Sequence, residues 1–337
     1  MFALKQLAGL SGGEKWASTP RRPGTARVEE SQVAAMAQEV SILSTLEHPH
    51  IVNYYEQVQC DDGTRAIVME YVEGASLRER IAVALETRTP IAEEESWRIT
   101  LQITLALRYL HMEMRIIHRD LTPGNVLLQH VPGGGGGPGG GGSVVKIADF
   151  GLATALAGPD RSGGKGEALG QVGTMLYAAP ELVQSQPYTH TADVWSLGCI
   201  IHEMAALRPP FAASSLLHVV KKIVECDHEP LLTHDDSGDD SGEIAASSGD
   251  PAAQAGFSVG STSSAAGSEG GFSAVSGASG PPLVCRCSRE MAQLVSNLLV
   301  VDPAERPSIV RVAEMLAPRM MGELERISAT QRDLLAE

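Results

Sequence analysis

Two short strings hold the residues best equipped for chemistry. His118-Arg119-Asp120-Leu121-Thr122-Pro123-Gly124-Asn125 places a carboxylate and an amide five residues apart, and Asp149-Phe150-Gly151 adds a second carboxylate further on. A carboxylate such as Asp120 can accept the proton of a hydroxyl that is becoming a nucleophile. Asn125 and Asp149 offer hard oxygen donors, the kind that hold Mg²⁺ beside phosphate groups. A turn cap would account for either Asp taken alone; the pair, in this order and followed by Ala179-Pro180-Glu181, calls for a common explanation.

Those three strings match the signature set of protein kinases, and the chain resembles the eukaryotic protein kinases from its first residues to about Leu316. Through LEHPHIVNYYE (46–56) and DVWSLGCIIHEMAALRPPF (193–211) it is most similar to the NIMA-related (NEK) serine/threonine kinases. The resemblance implies transfer of the ATP γ-phosphate to Ser or Thr hydroxyls of a protein, with ATP and Mg²⁺ as cofactors. It makes Asp120 the catalytic base, and Asn125 and Asp149 the metal ligands. Lys5 of Met1-Phe2-Ala3-Leu4-Lys5 would grip the phosphates, steadied by Glu39. Ala3 and Leu127 would sandwich the adenine, Met69 would line the back of its pocket, and backbone groups of Glu70 and Val72 would bond its edge. Thr174 would seat the acceptor hydroxyl beside Asp120. Glu181 and Arg306 would form a buried ion pair under the substrate platform. Association with microtubules, centrosomes or cilia is implied by the resemblance alone.

The elements that must position these residues can be read from pattern. Val33, Met36, Val40 and Leu43 recur at helical spacing, with Glu39 on the flank of the stripe. Ile51 to Tyr55 and Ala66 to Tyr71 read as strands, Ser96 to Met112 as a long helix, and Val144 to Ala148 as a short strand. Asp193 to Ala206 is a helix apolar nearly all round, as buried helices are. Strands first and helices after predict an α+β fold: a kinase-like bilobal domain over 1–316, with a small sheet lobe (1–70), a hinge (69–73) and a larger helical lobe (74–316). Residues 317–337 read as a helical extension.

Three Gly- or Ser-rich stretches, 10–27, 133–142 and 234–280, interrupt the domain and are expected to be disordered insertions. The chain has 337 residues and a net charge of −15. Seven acidic residues and no Lys or Arg lie between Asp235 and Gly280, so nearly half of the net charge sits in that insertion. No basic region suggests nucleic-acid binding. Five scattered Cys form neither a disulfide framework nor a zinc knuckle. There is no apolar run long enough to span a membrane and no signal peptide in MFALKQLAGL, so a cytoplasmic setting is expected.

Four departures from the kinase pattern qualify the expected activity. The Lys strand opens the chain, so the G-x-G-x-x-G-x-V loop that covers ATP phosphates is missing; weak ATP binding, an unpaired sheet edge and lowered stability are expected. Thr122 stands where serine/threonine kinases usually carry a Lys, removing a charge from the γ-phosphate. Gly170 occupies the place of the usual activating phosphoacceptor, which leaves Arg119 without its customary phosphate partner. The Gly133 to Gly142 run separates Asn125 from Asp149, a hairpin-tip insertion that loop-closure entropy tolerates. The missing loop and Thr122 also keep open a second reading, a pseudokinase that binds without catalysing.

Overall fold

Phe2–Leu7 (β1), Tyr54–Gln59 (β2) and Arg65–Glu70 (β3) form an antiparallel sheet in the order β1-β3-β2, with Ala3 opposite Met69 and Lys5 opposite Ile67. Ala66 and Ile67 are fully buried at its centre. A second sheet joins Gly74–Ser76 (β4), Val126–Gln129 (β6) and Val144–Ile147 (β7) in the order β4-β6-β7, and Ile116–Ile117 (β5) pairs with Thr154–Ala155 (β8). The structure is a computed structural model that describes residues 2–7, 40–60, 65–130, 143–155, 175–234 and 285–319.

The chain divides into two units: Met1–Leu77 with Leu101–Arg161 and Ile309–Glu337, and Arg78–Thr100 with Ser162–Ser308. The first carries all three sheets. The second carries most of the helices, and the fold is α+β as the order of strands and helices predicts.

Within the first unit, local chemistry sets several element boundaries. β7 is buried at Val145, Lys146 and Ile147, and the segment before β2 is zipped to it. Ile51 bridges Ile147, the Ile147 N–H donates to His50 O (2.9 Å), and the Val52 N–H donates to Ile147 O (2.9 Å). The β-branched run Ile51-Val52 therefore pairs with β7, and the strand expected over 51–55 runs from Tyr54 to Gln59. Of the helix read from Val33 to Leu43 only residues 40–43 are described; they are helical, with Ile42 and Leu43 buried. At Gly74 an added Cβ would lie 1.9 Å from the Leu128 carbonyl oxygen, so only glycine lets β4 approach β6 this closely.

Glu93–Arg108 (α2) starts three residues before the helix expected from Ser96, because Glu93, Glu94 and Glu95 suit the positive end of its dipole. It ends in a π-helical turn, Tyr109–Met114, closed by left-handed Arg115.

In the second unit Leu77–Glu86 (α1, from Arg78), Pro180–Val183 (α3), Thr191–Ala206 (α4), Leu216–Glu225 (α5) and Arg289–Leu298 (α6) are the named helices besides the start of α2. α4 is buried from Thr191 to Met204, as its all-round apolar sequence predicts. A Cβ at Gly198 would come 2.9 Å from Leu298 Cβ and from Leu299 Cδ2, so the missing side chain allows α4 and α6 to touch. Ser215 and Ser288 cap α5 and α6 by accepting from His218 N and Met291 N. Between these helices Thr233 and Cys287 form a parallel bridge: the Cys287 N–H donates to Leu232 O, the His234 N–H to Cys287 O, and Arg286 Nη1 to Thr233 O.

Candidate active site

β5 leads into residues 118–125, which close on themselves. Thr122 is extended, Pro123 opens a single 3-10 turn, and the Asn125 N–H donates to Thr122 O. This turn brings the Asn125 side chain back onto Asp120. Its Nδ2 donates to the Asp120 carbonyl (2.7 Å) and to Asp120 Oδ2 (3.1 Å). With the amide nitrogen spent on Asp120, Oδ1 is the atom Asn125 has left for a cation.

Asp149 follows β7, and the loop is tied to that strand at two points. The Ala148 N–H donates to Asn125 O (2.9 Å). His118, fully buried, bonds Ala148 O through Nε2 (3.2 Å) and accepts the Asp120 N–H at Nδ1 (3.3 Å). That pattern requires the tautomer protonated at Nε2, so one imidazole fixes Asp120 relative to the residue preceding Asp149. Its ring also packs edge-on against Phe150, centroids 4.8 Å apart, and Phe150 is buried. Arg119 and Asp149 both adopt left-handed backbone, at φ 66° and 62°, at a cost of about 1–3 kcal/mol each. Asp149 Oδ1 accepts the Gly151 N–H (3.3 Å), and Arg119 Nη1 donates to Leu152 O.

Asn125 and Asp149 open onto a cavity of about 270 Å³ also lined by Leu43, Val52, Tyr54, Met69, Ala148 and Phe150. Among the described residues no cluster of three or more His, Cys, Asp or Glu could hold a metal ion. An amide oxygen and one carboxylate suit Mg²⁺, which takes one or two protein ligands and completes its shell with phosphate and water; the donor set fits that ion. Thr122, at the place of the expected Lys, is buried.

Ala3 and Met69 face each other across β1 and β3, and Leu127 lies opposite Lys146 in the β6–β7 ladder. Val72 is half-buried. Lys5 is placed by its backbone in β1; Glu39, Thr174 and Gly170 lie outside the described residues, as does most of each Gly- or Ser-rich stretch.

The expected pair Glu181–Arg306 is present and bidentate: Nη1 donates to Oε1 at 2.8 Å and Nη2 to Oε2 at 3.1 Å, with side chains 1% and 0% exposed. Arg306 also donates to the carbonyls of Thr191, Val300 and Val301 and lies over the Trp195 ring, 5.2 Å from its centroid.

Two buried polar pairs, one hydrogen-bonded and one ionic, have no counterpart in the sequence reading. The Tyr177 hydroxyl donates to Glu203 Oε2 at 2.6 Å in a buried setting, and Ser196 Oγ donates to Tyr177 O. Burial raises the Glu203 carboxyl from its ordinary 4.5 to about 7, against the Tyr177 bond and the Arg78 charge, which lower it. A Glu in a helix read as apolar all round was the available signal. A carboxyl raised in the folded state contributes stability that is complete below about 4.5 and is lost as pH climbs through about 7. Glu203→Gln should remove that slope, leaving the variant more stable than the parent at pH 8 by on the order of 3 kcal/mol. Urea unfolding of both forms from pH 5 to 8 measures the difference; parallel curves would refute it. The second pair is Lys146–Glu70, Nζ to Oε2 at 2.9 Å, signalled by a Lys inside a strand read as buried.

The family described as Protein kinase domain matches residues 23–317 of this chain. Human serine/threonine-protein kinase Nek10 is 33% identical over 306 residues, which cover 90% of this chain and 20% of Nek10. Human Nek2 is 37% identical over 201 residues, 58% of this chain and 42% of Nek2. Mouse Nek4 is 35% identical over 197 residues, 58% of this chain and 22% of Nek4. The chain spans about a fifth of the length of Nek10. Among the described residues no helix is long and apolar enough to cross a membrane.

Proposed function

The chain belongs to the protein kinase family, and from that premise we propose that it transfers the γ-phosphate of ATP to Ser or Thr hydroxyls of protein substrates, as a NIMA-related serine/threonine kinase. The observation that carries this reading is the Asn125 amide bonded to both Asp120 O and Oδ2, with Asn125 and Asp149 lining one cavity.

Asp120 is the base. It orients the substrate hydroxyl and accepts its proton, and the Asn125 bond to Oδ2 holds the carboxylate in one rotamer for that task. Asn125 Oδ1 and the Asp149 carboxylate would hold Mg²⁺, which when bound would supply charge neutralisation at the phosphate oxygens. His118 and the Ala148–Asn125 bond keep the base and the metal ligands at a set spacing, which is what a reaction dominated by positioning asks of a protein. The strain at Asp149 is consistent with a side chain held where the ligand requires it. Backbone groups of Glu70 and Val72 receive the adenine edge, Met69 closes the pocket behind it, and Ala3 and Leu127 cover its faces. Lys5 and Glu39 hold the α- and β-phosphates, and Thr174 steadies the acceptor beside Asp120.

Thr122 brings a hydroxyl where a cation would steady the γ-phosphate, which favours a slower chemical step and supports, as the second reading, a binding scaffold. Labelled ATP, Mg²⁺ and a generic Ser/Thr protein substrate separate the two. Incorporation that disappears on chelating Mg²⁺ and in Asp149→Ala is expected. Nucleotide binding without any incorporation would leave the scaffold, and incorporation indifferent to both changes would overturn the proposal.

A further inference from the structure

Lys146 is buried, its side chain 8% exposed, in a strand whose neighbours Val145 and Ile147 are fully buried. An apolar side chain would satisfy that position at no desolvation cost, so the retained charge points to a use for its partner. That partner is Glu70, the last residue of β3, whose side chain is 15% exposed. Glu70 Oε2 accepts from Lys146 Nζ at 2.9 Å and from the Asn53 N–H at 3.1 Å, while the Glu70 N–H donates to Asn53 O at 2.8 Å.

The segment 50–53 is hydrogen-bonded on its other side to β7. In addition to the Ile147 ladder bonds, His50 Nδ1 bonds Val145 O at 3.1 Å. Three stretches far apart in sequence are thus laced together: the end of β3, residues 50–53, and β7. The ion pair is the direct strap between the first and the last. One end of this assembly enters the hinge at Glu70; the other lies three residues before Asp149.

We infer that Lys146 and Glu70 are positioning residues that set the spacing between the adenine-binding hinge and the metal ligand Asp149. The inference rests on the proposed ATP-dependent function. A ligand that touches only the hinge is indifferent to that spacing. A ligand that bridges from the hinge to Asp149 must find both ends in place, and loses affinity when either end gains freedom.

The test compares adenosine with Mg-ATP on the full 337-residue chain by equilibrium titration. Lys146→Met should weaken Mg-ATP about tenfold and adenosine less than twofold, and should raise KM for ATP while kcat per folded molecule changes less than threefold. Lys146→Arg, which keeps a donor to Glu70, should restore most of the Mg-ATP affinity. Should Lys146→Met not fold, Lys146→Gln, which removes the charge and shortens the reach to Glu70 while keeping a polar side chain, carries the same expectations. Equal weakening of both ligands, an unchanged Mg-ATP affinity, or tighter Mg-ATP binding would overturn the inference while leaving the kinase reading intact. A parent chain that binds adenosine and Mg-ATP equally, or neither, would overturn the functional reading and the inference with it.

Discussion

Asp120→Asn is expected to reduce phosphate transfer by about 10²- to 10⁴-fold, the usual contribution of a positioned general base, while Mg-ATP affinity changes by less than threefold. The substitution is nearly isosteric, and the Asn125 bonds anticipate how the new side chain will sit. Asn125 Nδ2 donates to Asp120 Oδ2, so the introduced amide must turn its oxygen toward Asn125 to keep that bond. Its NH₂ then occupies the place of the other carboxylate oxygen, a donor where a proton acceptor is required. The Asn125 bond to the Asp120 carbonyl and the His118 bond to the Asp120 N–H are untouched. Single-turnover transfer from labelled ATP to a Ser/Thr protein, alongside Mg-ATP titration, makes the comparison. Equal transfer rates in parent and variant would remove Asp120 from the chemistry.

Arg306→Ala carries the largest expected effect on stability, a loss of about 3–5 kcal/mol, the range for removing one partner of a buried ion pair. Glu181 would be left buried with its charge uncompensated, and the carbonyls of Thr191, Val300 and Val301 would lose a common donor. Arg306→Lys should recover little, because a single ammonium cannot reproduce the two-pronged contact with Glu181 together with three carbonyl bonds. Replacing both charges, with Arg306→Met and Glu181→Leu, should be milder than Arg306→Ala, since nothing charged is then stranded. Urea unfolding followed by the fluorescence of Trp195, which stacks on Phe211 and lies under Arg306, reads these differences. A loss below 1 kcal/mol for Arg306→Ala would show that solvent reaches the pair.

The grouping of the candidate site residues Asp120, Asn125 and Asp149 was legible because their relations are local. Asp120 and Asn125 lie five residues apart, and Asp149 follows a strand that can be read from its β-branched residues. Glu181–Arg306 was legible only through resemblance, as no spacing rule links residues so far apart. What could not be read is which distant group a buried polar residue would meet. Lys146 and Glu70 look like a strand lysine and a hinge glutamate until β7 and β3 are laced through residues 50–53. Tyr177 and Glu203 likewise declare themselves only once the segment before α3 is laid on α4. Strand limits failed for a related reason. Ile51 and Val52 have the composition of a strand, yet their hydrogen bonds go to β7, and composition does not name a partner.

The bridge between Thr233 and Cys287 sets the exit and re-entry points of residues 235–284 side by side. Those two feet are held by hydrogen bonds of their own, the Cys287 N–H to Leu232 O and the His234 N–H to Cys287 O. The segment leaving α5 and the segment entering α6 are therefore joined at the bridge. The join between these two helices is thus made by residues 232–234 and 286–287 themselves, so the ends of α5 and α6 are tied through backbone and not through the acidic stretch.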